Sequence, residues 1–204
     1  MIPFFPRAAF KGLPILYILI VILGASSAPA LASDTPGPIA HVYTEDRLNS
    51  VEPEKGLPEK WAKQVKDSSP AVFSGSTCPG EYYVFQVGIH AMRDTGPLSV
   101  EFSELRDKTT GRIIPAKALD CLSLGGVGPD GKSFEKTIIV PKGKVQILWI
   151  AVDVPSDVRG DFLGTITLGL DKNTTIPVTL SLTVAGDLVA EHGDHDPKKL
   201  SRLR

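Results

Sequence analysis

Gly80-Glu81-Tyr82-Tyr83-Val84-Phe85-Gln86-Val87-Gly88-Ile89-His90-Ala91 is the stretch from which the fold is read. It follows the turn signal Cys78-Pro79-Gly80 and then runs without a breaker. Side chains alternate along a strand, so Tyr83, Phe85, Val87 and Ile89 share one face. Tyr82, Val84, Gln86, Gly88 and His90 share the other, which is more mixed. Aromatic and β-branched residues suit a pleated, half-buried surface, so the stretch predicts a core strand.

The same period recurs outward from it. Leu98, Val100 and Phe102 alternate with Ser99 and Glu101. Val145 to Val154 is the most apolar run and contains Trp149. Both of its faces are apolar at several positions, as in a strand covered on both sides. Phe162 to Leu170 and Thr175 to Val184 read as a hairpin across Asp171-Lys172-Asn173-Thr174. Ile113 to Leu124 reads as a strand or pair interrupted by Pro115, and Phe134 to Val140 as a short strand. Gly125 to Gly131 reads as a loop. Ile39 to Tyr43 predicts an edge strand. Pro58-Glu59-Lys60-Trp61 predicts a single helical turn opened by proline. The result is an all-β chain, a β-sandwich of about seven or eight mainly antiparallel strands.

Composition agrees. Of 204 residues, 42% are hydrophobic, enough for a core, and 19 glycines with 17 prolines suit many short strands joined by turns. Basic and acidic residues number 22 and 23, so bulk charge gives no support to a nucleic-acid partner.

The chain begins as a targeting segment does. Arg7 and Lys11 precede the apolar run Leu13 to Ala25, and small residues lead to Ala30-Leu31-Ala32 before Ser33. This predicts a signal peptide over 1–32 with cleavage between Ala32 and Ser33. The run is shorter than the roughly 20 residues a spanning helix needs, so no stable membrane span follows cleavage. An uncleaved anchor is the alternative. The expected location is secreted, periplasmic or extracellular. Residues 33–70 read as an irregular segment with one edge strand, 71–186 as the sandwich and 187–204 as a polar connector.

Export makes Cys78 and Cys121 candidates for one disulfide, with two buried thiols as the alternative. Asn173-Thr174-Thr175 is a glycosylation sequon at a hairpin tip, usable where the host glycosylates exported proteins.

Chemistry is sparse. The glycine-rich run lacks the Gly-Lys-Ser/Thr ending of a phosphate cradle, and no Gly-x-Ser-x-Gly elbow occurs. His192-Gly193-Asp194-His195-Asp196 matches no standard metal spacing and reads as a solvated linker. His90 reads as a hydrogen-bonded structural histidine. Glu101, Glu104, Asp120 and Asp153 are the acidic candidates for a hydrolytic carboxylate pair. Asp153 draws most notice because a carboxylate within an apolar strand needs partners if buried. Glu81 reads as a structural carboxylate at the strand start. No catalytic constellation, metal site or cofactor motif emerges. For ligand binding the aromatic candidates are Trp61 and Tyr82, followed by Trp149, which lies in the most apolar strand and is expected to be the least exposed of the three.

Several segments together resemble the N-terminal domain of proteins related to glycoside hydrolase family 123. They are Val51-Glu52-Pro53, Pro79 to Gln86, Asp120-Cys121 with Gly125-Gly126-Val127, Leu148 to Pro155, and Gly160-Asp161-Phe162-Leu163-Gly164 with the final strand ending at Val184. The resemblance covers about His41 to Arg204. It implies a β-sandwich that precedes a (β/α)₈ barrel in retaining β-N-acetylgalactosaminidases, whose acidic pair lies on the barrel. No position here matches that pair, so the resemblance implies a non-catalytic accessory domain. The alternatives are a stand-alone carbohydrate-binding module and a small glycosidase acting on N-acetylgalactosaminides.

Overall fold

The computed structural model describes residues 37–64, 70–128 and 130–190. The cleavage site at Ala32 and Ser33 and the His192 to Asp196 cluster lie outside these residues. In chain order the elements are β1 (Ala40–Asp46), α1 (Glu59–Gln64), β2 (Val72–Thr77), β3 (Tyr82–Ala91), β4 (Ser99–Phe102), β5 (Leu105–Asp107), β6 (Ile113–Ile114), β7 (Leu119–Cys121), β8 (Gly125–Val127), β9 (Ser133–Glu135), β10 (Val145–Asp153), β11 (Gly160–Gly169) and β12 (Thr175–Val184).

These strands form an all-β sandwich. One sheet has the order β1-β3-β10-β7. The other runs β2-β12-β11-β5-β6, with β4 also paired to β11, and β8 and β9 make a separate ribbon. All pairings are antiparallel except β2 with β12. The opening stretch is the second strand of the first sheet, flanked by β1 and β10 along nearly its whole length.

The alternation places the core. Phe85, Val87 and Ile89 of β3 and Leu148, Ile150 and Val152 of β10 face inward. From the other sheet come Phe162, Ile166 and Leu168 of β11 and Val178, Leu180 and Leu182 of β12. All twelve are at most 1% exposed. Each contributes about 1.5–3 kcal/mol by burial, so this interior outweighs any satellite cluster.

Four readings change. The strand count exceeds eight because several strands have only two or three residues. The β2 strand was not anticipated: only Phe73 and Thr77 of it are buried, which leaves little apolar alternation to read. Gly125 to Gly131 is not all loop, because Gly125–Val127 pairs with Ser133–Glu135. Gly126 is nearly fully extended, with φ 159°, so the glycines serve as strand residues under the Phe134 ring. The expected strand from Phe134 to Val140 accordingly stops at Glu135, although Ile138 and Val140 still reach the core.

The last sheet neighbour of β11 is split. β4 pairs with Ile166 to Gly169, and β5 pairs with Phe162 and Leu163. Between them the chain crosses Gly164, where a Cβ would lie 2.4 Å from Leu105 and 2.9 Å from the Glu104 carbonyl. Glycine there lets the two short strands share one edge of β11.

Candidate functional site

The outer face of the first sheet carries the side chains that point away from the core. Register places them: His41, Tyr43 and Glu45 on β1, Tyr82 to His90 in alternation on β3, Val145 to Asp153 in alternation on β10, and Asp120 on β7.

One half of this face is covered. After β1 the chain turns back over the sheet and Gln86 holds it there. Gln86 is fully buried; its Nε2 donates to the carbonyls of Asp46 at 2.6 Å and Asn49 at 3.1 Å. Its Oε1 accepts from the Val51 N–H at 3.1 Å. Helix α1 then lays Trp61 on Gly88, where a Cβ would stand 2.2 Å from the indole. Trp61 stacks on Tyr43 at 4.8 Å between centroids and 6° between planes, and joins Val145 and Ile147 in a second apolar cluster. Lys60 pairs with the buried Glu45 at 2.9 Å.

The other half is open. Tyr82 lies opposite Asp153, Val84 opposite Ala151, and Ala151 opposite Asp120 on the far side. Trp149 lies one step further along β10, and the Leu122 N–H donates to its carbonyl. Tyr82, Val84 and Trp149 are half-buried and Asp120 and Asp153 are exposed. The Tyr82 hydroxyl titrates above its ordinary value, first through burial and then through the negative charges of Asp120 and Asp153. Both carboxylates therefore act on one phenol. The strip is an apolar floor of Val84 and Ala151 between two aromatic rings, with acceptors along its side. Two grooves flank it. One, of about 590 Å³, runs between β4 and the β8–β9 ribbon and is lined by Leu98, Val100, Asp120, Leu124 and Phe134. The other, of about 480 Å³, is lined by Gly80, Ala118, Asp153 and Val189.

The sequence candidates divide accordingly. Trp61 is corrected: it is 0% exposed and serves as the lid of the covered half, not as an exposed platform. Tyr82 stands on the open strip. Trp149, expected to be the least exposed of the three, is half-buried on the outer face, more open than Trp61, and packs at the margin of the Trp61 cluster. The alternation of β10 could have placed it there, since it is out of phase with Leu148 and Ile150. Asp120 and Asp153 come together on neighbouring strands, a pairing that only register reveals. Glu101 is exposed on β4, and Glu104 pairs with Arg106, also exposed.

Glu81 is 2% exposed and structural, as read. It accepts from Thr77 Oγ1 at 3.0 Å and from the Cys78 N–H at 3.0 Å, and pairs with Arg47 at 2.9 Å. Arg47 also lies over the Tyr83 ring, 5.2 Å from its centroid. His90 departs from its reading: its buried Nδ1 has no hydrogen-bond partner. Cys78 and Cys121 stand as free thiols, and burial pushes the Cys121 thiol up. Asn173 is exposed in the turn between β11 and β12. The beginning of the expected connector is docked: Val189 is buried and its N–H donates to the Pro79 carbonyl at 2.9 Å. No group of three or more metal-binding side chains occurs among the described residues, and no helix among them is long and apolar enough to cross a membrane.

No family model and no curated protein matches the sequence. Among solved structures the chain is similar to a family 123 glycoside hydrolase from Clostridium perfringens, studied for glycolipid glycan hydrolysis. The TM-score is 0.53 at 12% identity, over 74% of this chain and 28% of that one. The likeness is one of fold, and the chain spans little more than a quarter of that hydrolase. A PapD-like domain of human CEP192 matches at a TM-score of 0.35 and 16% identity, over 57% of this chain and 80% of that one. The fimbrial subunit MyfA of Yersinia enterocolitica also matches at 0.35, with 10% identity over 72% of this chain and 98% of that one.

Proposed function

We propose that the chain is a non-catalytic accessory β-sandwich of a secreted glycoside hydrolase-like protein, flanking or supporting a catalytic barrel carried outside these 204 residues. The observation that carries this reading is the fold match. Three quarters of this chain superposes on about a quarter of a family 123 hydrolase. Of the sequence motifs that resemble the N-terminal domain of that group, those at Pro79 to Gln86, Leu148 to Pro155 and Gly160 to Gly164 fall largely on β3, β10 and β11, and the others on β7, β8, β12 and the segment before α1. The carboxylates Asp120 and Asp153 are both exposed, beside Tyr82 on an open sheet face.

The test has two parts. The coding sequence beyond Arg204 is read for an in-frame barrel, and the purified chain is assayed on N-acetylgalactosaminide substrates. The expected result is a barrel downstream and no turnover by the chain alone. Turnover that tracks with this chain overturns the reading.

A second reading, a carbohydrate-binding module, is favoured by the strip itself. Aromatic faces stack on the apolar faces of sugar rings, and carboxylates accept from sugar hydroxyls. On this reading Tyr82→Ala weakens glycan retention by about tenfold, the loss of one stacking and hydrogen-bonding contact of roughly 1.4 kcal/mol. A broad glycan panel with no binding to the wild-type chain removes it.

A further inference from the structure

We propose that His41 and His90 form a two-imidazole site for a borderline divalent transition-metal ion, Cu²⁺ or Zn²⁺. The register of β1 on β3 sets the two histidines directly opposite each other on the outer face of the first sheet. Directly opposed residues of an antiparallel pair hold their Cβ atoms about 4.5–5.5 Å apart. Two imidazoles on such a base can close on one ion at about 2.0–2.1 Å per nitrogen. Both side chains are half-buried, so the ion has access from solvent while the strands fix the rings' origins. The pairing runs through seven consecutive residues of β1, so the site sits on a ladder and not on a loop.

A second observation marks the same patch. His90 Nδ1 and Tyr43 Oη are buried without hydrogen-bond partners. Tyr43 lies two residues from His41 on the same face and is 4% exposed. Buried polar atoms are rarely left without partners, so the unpartnered Nδ1 of His90 marks a donor atom of this pair that nothing among the described residues satisfies. The chemistry suits a metal. Imidazole nitrogens are common ligands of such ions, and the two rings rise from directly opposed positions of the ladder. Imidazole donors without carboxylates select Cu²⁺ and Zn²⁺ over Mg²⁺ and Ca²⁺. With only two protein donors, water or an exogenous ligand completes the coordination, and the ion exchanges.

The site does not depend on the carbohydrate reading. The chain has four histidines, and the other two, His192 and His195, could bind metal on their own. The full chain carrying His192→Gln and His195→Gln is therefore titrated with Cu²⁺ and with Zn²⁺ by calorimetry, and the Cu²⁺ form is examined by electron paramagnetic resonance. The expected result is one ion per chain, tighter for Cu²⁺ than for Zn²⁺, with nitrogen hyperfine structure from imidazole. His41→Gln, on the edge strand, weakens binding by about tenfold or more with the tryptophan emission of the fold unchanged. His90→Gln does the same. Uptake unchanged in the His41→Gln chain, or none by the parent at about 100-fold molar excess of Cu²⁺, overturns the proposal; if His90→Gln fails to fold, His41→Gln decides alone.

Discussion

At the scale of single residues, the buried polar groups are organisers of turns more than chemical groups. Glu81 collects a hydroxyl, a backbone N–H and a guanidinium at the entry to β3. Removing one partner of a buried ion pair commonly costs about 3–5 kcal/mol; Arg47 is 23% exposed, so Glu81→Ala should cost about 2–3 kcal/mol, read from the urea midpoint. Asp107 has the same character at a different turn. The Thr110 hydroxyl, and then the Thr109 N–H, hold its carboxyl below the usual 3.8. A lowered folded-state pKa gives stability that is complete above the unfolded value and is lost as pH falls through the folded one. Asp107→Asn should therefore be less stable than wild type near neutral pH, and the difference should close as denaturation is measured at successively lower pH below 3.8. Asp171, held down by the Asn173 N–H, adds to the acid sensitivity of the wild type.

At the scale of elements, the covering of the outer face depends on an absent side chain. Gly88 lies mid-strand, where glycine costs about 0.5–1 kcal/mol relative to alanine. Here the exchange reverses, because a Cβ would stand 2.2 Å from the Trp61 ring. Gly88→Ala should lift α1 from the sheet, destabilise the fold by about 1–3 kcal/mol and shift Trp61 emission to the red. Gln86→Leu should release the loop from Asp46 to Val51 while keeping side-chain volume. It strands the Val51 N–H and the carbonyls of Asp46 and Asn49 where Gln86 satisfied them, and should cost about 1–3 kcal/mol with faster amide exchange at Val51. Both variants leave the inner face of β3 untouched, so circular dichroism should keep its β character.

At the scale of the molecule, both sheets close on one core built of strands distant in sequence. β1 and β2, early in the chain, flank β3 and β12 respectively, and β2 reaches its partner across a parallel ladder more than 100 residues away. Non-local pairing of this kind slows folding, so refolding of the described domain should fall on the order of milliseconds to seconds. The Trp61 cluster is continuous with the sheet through Gly88, so its loss should not form a separate step. Tryptophan emission and circular dichroism should give one coincident urea transition. Two resolved transitions would show that the covered half unfolds on its own.

The local pattern of the chain carried a good share of this. Alternation in β3 and β12 marked their inner faces, and with the apolar run of β10 and the hairpin of β11 it pointed to the all-β class, because the side-chain period of a strand is a property of consecutive residues. The turn at Asp171 and the structural part played by Glu81 were legible for the same reason, each being set within a few positions. Tertiary structure decided what depends on partners. It placed Trp61 under cover by bringing it to Gly88, and made β2 a strand by giving a polar segment the edge of β12. It also set Asp120 beside Asp153 and His41 opposite His90. Which strands become neighbours follows from packing two sheets around one core, and that packing joins residues whose separation along the chain carries no periodic signal.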